Sequence, residues 1–274
     1  MGIIRVFPRR TKATPDDHLA FVGEPPLWLD EAAVREVHVS CTFTWDLNMA
    51  HRLRFDWQWR YPAAKVLIGG PAFGDAGGEF TPGMYLKQGY VITSRGCPNR
   101  CEKCLVPERE GQLRLLPVYD GHDILDNNLL ACSESHIAEV LAMLRRQPQR
   151  PRFTGGLEAA RMTPAIVREL LAVKPAVMYL AYDRHEQWQA VEQAARMIYE
   201  QSGWSPGTFK HYVGCYLLGG YKGDTIADAD ARVKRARETG FRVFPMVWRG
   251  KDGATPGREW VEWRGGILSF GGGG

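Results

Sequence analysis

The sequence predicts an α/β protein, with a small α/β unit over residues 1–89, a parallel sheet or barrel over 90–250, and a C-terminal extension over 251–274. Two patterns carry this reading. After residue 90, short β-branched segments closed by Gly or Pro alternate with amphipathic stretches six times in succession, as parallel strand–helix units require. Before that, residues 73–89 contain five glycines and read as a linker between two folded parts.

Length and composition narrow the classes. At 274 residues, 45% hydrophobic and 24% charged, the chain can bury a large core and has the make-up of an ordinary globular protein. Its apolar runs fall short of the roughly 18 residues that a membrane helix needs. The N-terminal stretch has no signal-peptide core, so a cytoplasmic protein is expected. The Gly271–Gly274 run reads as a disordered tail. A net charge of +4 permits an anionic partner without requiring one.

In chain order, residues 3–7, 37–43 and 65–70 are expected as strands, and 47–59 as a crossover helix. Strand, helix and strand with a Gly69-Gly70 exit favour a parallel βαβ unit. The later strands are expected at 91–95, 122–126, 152–155, 177–182, 212–218 and 241–247. Helices are expected between them. Ile137, Val140, Leu141 and Leu144 keep helical spacing behind Ser133 or Ser135 as N-cap. Thr163-Pro164 opens a second helix, and a third over 226–238 stops at Gly240.

Three of the six cysteines, Cys97, Cys101 and Cys104, are spaced C-x3-C-x2-C directly after the strand at 91–95. Pro98, Asn99, Arg100, Glu102 and Lys103 interleave them, which is not the pattern of core thiols. Thiolates suit iron–sulfur clusters, zinc or copper(I). A compact trio without an adjacent fourth ligand leaves one coordination position open. The same residues also admit a zinc knuckle completed by His122 or His136. Cys41, Cys132 and Cys215 lie in apolar surroundings and read as buried free thiols of a reducing compartment.

The cysteine loop, placed after the first of six strand–helix units, resembles the radical S-adenosylmethionine (SAM) family. The resemblance covers roughly residues 85–250 and implies a partial (β/α)6 TIM-like barrel. It implies a 4Fe-4S cluster on Cys97, Cys101 and Cys104, with SAM bound at the fourth iron. It also implies a low-potential electron donor such as flavodoxin, and a 5′-deoxyadenosyl radical that abstracts hydrogen from a substrate.

Barrel chemistry sits at the C-terminal ends of the strands, and the resemblance assigns cofactor-binding roles there. Lys103 stands where the family usually has an aromatic residue, with its stem covering the adenine. Asp126, Asn127 and Asn128 replace the acidic motif that receives the SAM ammonium; an Asx turn is the other reading of Asn128. Gly155 and Gly156 allow close approach of a ligand. Asp183 suits the SAM ribose, or else caps a helix. Gly219 belongs to a segment, 217–225, like the one that passes beneath the adenine, with Asp224 or Thr225 capping the next helix. Arg249 suits the SAM carboxylate or an anionic substrate group.

The N-terminal part resembles a shortened cobalamin-binding Rossmann domain. The cobalt-ligand motif D-x-H-x-x-G is missing, since the stretch from Asp120 and His122 to Leu125 lacks its final Gly and follows the cysteines, so no cobalamin is expected. The whole is similar to short phage and bacterial members associated with DNA hypermodification, including isomerisation of an amino-acid adduct on thymine. A nucleic-acid base or its adduct is therefore the expected substrate, with Arg95, Arg100, Lys103, Arg109, Arg184, Trp248 and Arg249 near it. The alternative is a non-enzymatic zinc or Fe-S nucleic-acid-binding module. It accounts for the basic balance but not for the six strand–helix units.

Overall fold

In the N-terminal unit of the computed structural model, which describes residues 3–29, 34–75 and 78–269, short apolar segments pair into one parallel sheet. Its strands are β1 (Ile4–Phe7), β2 (Ala20–Val22), β3 (Glu36–Ser40) and β4 (Lys65–Gly69), in the order β2-β1-β3-β4. Helix α1 (Leu47–Arg60) connects β3 to β4, so the expected parallel βαβ unit is present. Ala50, Leu53 and Trp57 recur on one face of α1 and are fully buried. Burying a large apolar side chain contributes about 1.5–3 kcal/mol, so these anchors hold a helix whose other face mixes charged residues with the exposed Met49, Phe55 and Trp59. The strand expected at 37–43 stops at Ser40. Gly70, at φ 104°, brings the exit of β4 against the Cys41 backbone, and a Cβ there would stand 2.7 Å from the Cys41 carbonyl oxygen.

The second unit starts with β5 (Tyr90–Val91), β6 (Ser94–Arg95), the short α2 (Val106–Arg109), β7 (Arg114–Leu115) and β8 (Asp123–Ile124). It continues through α3 (Glu134–Arg145), β9 (Arg152–Leu157), α4 (Pro164–Ala172), β10 (Val177–Ala181), α5 (Trp188–Ser202) and α6 (Pro206–Tyr212). It ends with β11 (Val213–Gly219), α7 (Ile226–Glu238), β12 (Arg242–Val247) and α8 (Arg258–Ser269). Six strands form one sheet, β12-β11-β10-β9-β8-β5, and every neighbouring pair is parallel. The chain is thus a mixed α/β protein built on parallel sheets.

Sequence neighbours are spatial neighbours throughout this sheet, and right-handed crossovers then put the helices on one face. Met178, Leu180, Val213, Cys215 and Leu217 share a core with Val140, Val167, Val191 and Val233 of those helices. The caps are as expected, with a choice made at two of them: Ser133, not Ser135, accepts from the His136 N–H, and Thr225, not Asp224, accepts from the Asp228 N–H. Thr163 caps α4 ahead of Pro164, and Gly240 leaves α7 at φ 97°.

Two expected strands are corrected. The one at 91–95 is broken into β5 and β6, and the one at 122–126 shortens to Asp123–Ile124. The cause is Asp126, whose carboxylate takes the Thr93 N–H at 2.6 Å and the Thr93 and Ser94 hydroxyls, each at 2.6 Å. Those bonds pull residues 93–94 out of the ladder. The C-terminal extension contributes α8, whose Trp260, Trp263 and Ile267 join the larger core; the Gly271–Gly274 tail lies outside the described residues. Among the described residues, no helix is long and apolar enough to cross a membrane.

Candidate functional site

Once diverted by Asp126, the chain makes an excursion over residues 96–113 that is closed at its base by antiparallel β6 and β7, with Ser94 opposite Leu115 and Arg95 opposite Arg114. The base is tight. Gly96 has φ 76°, and a Cβ there would lie 2.2 Å from the Gln112 carbonyl oxygen, so only glycine fits. The three cysteines follow at once. Cys97 is half-buried, while Cys101 and Cys104 are exposed.

The excursion lies across the C-terminal ends of the large sheet and is fastened to the segments after β8, β10 and β12. Asn127, just past β8, donates to Glu110 at 2.6 Å, and Asn128 donates to Glu158, just past β9, at 2.6 Å and to Cys97 Sγ at 3.6 Å. The Lys103 ammonium lies 2.9 Å from the carboxylate of Asp183, just past β10. The two form an ion pair, and Lys103 Nζ makes no hydrogen bond. Asp183 also accepts the Leu218 N–H of β11 at 3.1 Å, and Trp248 Nε1, just past β12, donates to the Lys103 carbonyl at 3.2 Å. Further out, Arg184 lies 3.8 Å from Glu102, and Lys251 pairs with Glu108.

The donor chemistry fits a thiolate-bound centre. Although Cys104 as a whole residue is exposed, burial around its sulfur raises the thiol above its usual range, the Val106 N–H opposes this, and negative charge on Cys101 and Cys97 adds to the rise. The Val106 N–H points at Cys104 Sγ at 3.5 Å. Among the described residues, no three His, Cys, Asp or Glu side chains are already drawn into a ligand set. Neither histidine expected for a zinc knuckle lies at the thiols. His136 is buried with Nε2 3.3 Å from the Thr93 hydroxyl, beneath the hairpin base, and His122 sits at the start of β8, packed on Gly89.

The other expected residues are distributed as follows. Asp126 is 1% exposed, with both oxygens engaged, so it fastens the loop from below. Asn128 Oδ1 is buried and has no partner, which leaves an acceptor beside Cys97. A Cβ on Gly155 would lie 2.3 Å from the Asp126 carbonyl oxygen, whereas one on Gly156 meets only the Tyr216 ring at 3.8 Å. Gly155 is therefore required by packing, and Gly156 borders open space. Gly219 lies under the Trp260 and Trp263 rings, both 2.8 Å from where its Cβ would be. Arg249 stacks 4.9 Å above the Trp45 ring of the N-terminal unit.

Sequence reasoning missed the sheet face opposite the helices. Asp123, Arg152, Thr154, Tyr179, Tyr216, Arg242 and Phe244 share it. Tyr179 and Tyr216 stack at 4.3 Å, Arg242 donates to the Tyr179 hydroxyl at 3.2 Å, and Arg152 donates to Asp123 at 3.2 Å. Gly214 makes room, since a Cβ there would strike the Tyr179 ring at 2.4 Å. Burial pushes the Tyr216 phenol well up. The signal was present as a period-2 alternation within the strands, with polar positions in Arg152-Phe153-Thr154 and a polar then an aromatic position in Arg242-Val243-Phe244. No protein-family model matches the chain, and neither does any curated protein.

Proposed function

We propose that the chain is a radical SAM enzyme in which Cys97, Cys101 and Cys104 hold a 4Fe-4S cluster. One observation carries the reading: a three-thiol loop lies across the C-terminal ends of parallel strands of one sheet, tied to the segments after β8, β10 and β12. That end is where barrel-type α/β enzymes place their chemistry. The consecutive strand order supports the partial (β/α)6 barrel that belongs to this reading. When bound, the cluster supplies one electron to SAM, whose carbon–sulfur bond breaks to give a 5′-deoxyadenosyl radical that takes a hydrogen atom from the substrate.

The chain's own side chains bind and orient. Asn128 Nδ2 and the Val106 N–H direct hydrogen bonds at Cys97 and Cys104 sulfur, and such bonds tune a cluster's potential. The unpartnered Asn128 Oδ1 suits an ammonium such as that of SAM. Asp183 accepts from ligand hydroxyls, Lys103 holds the loop down over it, and Gly156 leaves room for the ligand.

The substrate in this reading is a nucleic-acid base or its amino-acid adduct, met on the face that carries Arg152, Arg242 and the aromatic rings. A low-potential donor such as flavodoxin supplies the electron. The test is anaerobic purification with iron and sulfide assay, followed by SAM turnover with dithionite. The expected outcome is a brown protein that releases 5′-deoxyadenosine. A colourless zinc protein that leaves SAM intact would return the loop to a zinc nucleic-acid-binding module.

A further inference from the structure

At the opposite end of the large sheet, where the strands begin, a cavity of about 390 Å³ has Arg150, Leu171, Lys174, Gln201, Trp204 and Tyr212 among its walls and no carboxylate. Its volume lies in the range of small-molecule sites. Trp204 and Tyr212 form an aromatic wall, with ring centroids 4.9 Å apart. The Arg150 guanidinium lies 4.7 Å over the Tyr212 ring and is held by the Lys174 carbonyl at 3.0 Å and the Pro175 carbonyl at 2.8 Å.

Lys174 is the one non-glycine residue with positive φ, 50°, among the described residues. It follows the C-terminus of α4, where glycine is usual because a Cβ is strained in the left-handed region, and Pro175 restricts its backbone further. Glycine would supply the same carbonyl to Arg150 without strain. What only lysine adds is a long cationic side chain on a residue that lines the cavity.

We propose that this cavity binds a nucleotide, with the base stacked on the Trp204–Tyr212 wall and the phosphate paired with Lys174 beside Arg150. Two cations without a carboxylate select an anion, and the adjoining aromatic wall selects a flat ring. The cavity lies a sheet's length from the cysteines, so it binds without reacting and stands independently of the cysteine-loop reading. The same chemistry is offered by a free nucleotide or by one unit of a single strand.

The test is calorimetric titration of the full chain with AMP, adenosine, inorganic phosphate and a single-stranded hexanucleotide. Saturating SAM is present throughout, so that adenine binding at the strand ends is held constant. AMP is expected to bind more tightly than adenosine or phosphate. Trp204→Ala should weaken it about tenfold or more, the scale of one base stacked on an aromatic ring. Lys174→Gly should weaken it similarly while keeping or raising Tm, since glycine relieves the strain. Hexanucleotide binding that is lost in the same variants assigns the site to a strand, and AMP binding alone assigns it to a free nucleotide. Absence of binding by both, or a folded Lys174→Gly protein that binds as tightly as wild type, overturns the proposal.

Discussion

The Lys103 ammonium stands 2.9 Å from the Asp183 carboxylate, with the two side chains 8% and 17% exposed, and so ties the cysteine loop to the end of β10. Removing one partner strands the other charge in a mostly dry place. Asp183→Ala should therefore cost about 3–5 kcal/mol and weaken SAM binding, while iron content stays near normal. The double variant Lys103→Met with Asp183→Leu should regain much of the stability but not the SAM affinity. If Asp183→Ala folds and binds SAM as the wild type does, Asp183 serves the loop alone.

The cysteines divide into two groups. Cys97→Ala, Cys101→Ala and Cys104→Ala should each abolish cluster retention and SAM cleavage, since each removes one of three ligands. Cys41→Ala, Cys132→Ala and Cys215→Ala should retain both, because these thiols are buried; burial, with the Asp46 charge adding to it, raises Cys41 to about 11. Iron assay and chromatography for 5′-deoxyadenosine decide it. Full iron and turnover in Cys101→Ala would falsify the ligand assignment.

Asp126 should leave a signature in the pH dependence of stability. Burial raises its carboxyl above 3.8, although Ser94 and Thr93 oppose this with hydrogen bonds. In the window between 3.8 and the raised value the folded chain holds a proton that the unfolded chain releases. Wild type therefore gains stability as pH falls through that window, and Asp126→Asn lacks the gain. Melting curves from pH 7 to 4 should show the Tm gap moving in favour of wild type on acidification. A gap independent of pH would contradict the burial-dominated shift.

Gly219→Ala should act through α8. An added Cβ would meet the Trp260 and Trp263 rings at 2.8 Å, and overpacking of this kind costs about 1–3 kcal/mol. A lowered Tm with iron content unchanged is expected. An unchanged Tm with lost SAM affinity would place the glycine at the cofactor instead.

Nucleic-acid binding should depend steeply on salt. Arg95 and Arg184 pair with Glu110 and Glu102, while Arg109 Nε, like Arg95 Nε, is buried without a hydrogen-bond partner. Arg109→Ala should weaken single-stranded DNA binding and lower the log–log salt slope by about 0.7 for each phosphate that is no longer neutralised. Fluorescence anisotropy at two salt concentrations with SAM present measures both. No binding at low salt, with turnover of a free amino acid, would leave only the radical chemistry.

The sequence by itself determined the elements that local chemistry dictates. The βαβ unit at 36–69, the capped helices behind Ser133, Thr163 and Thr225, and the strands at 152, 177, 213 and 242 follow from periodicity and caps, which are read over a few residues. The clustering of Cys97, Cys101 and Cys104 was legible because residues of one loop are close in sequence. What only the tertiary structure decided is which groups meet across long separations. Asp126 reaches back 33 residues to break the first strand of the large sheet. Lys103 meets Asp183, Trp248 meets the Lys103 carbonyl 145 residues away, and Gly219 yields its space to Trp260 and Trp263. The aromatic and cationic face of the sheet likewise exists only once β8 to β12 align in register. Hydrogen bonds and van der Waals contacts act over a few ångströms in space, and sequence distance carries no information about which of them will form.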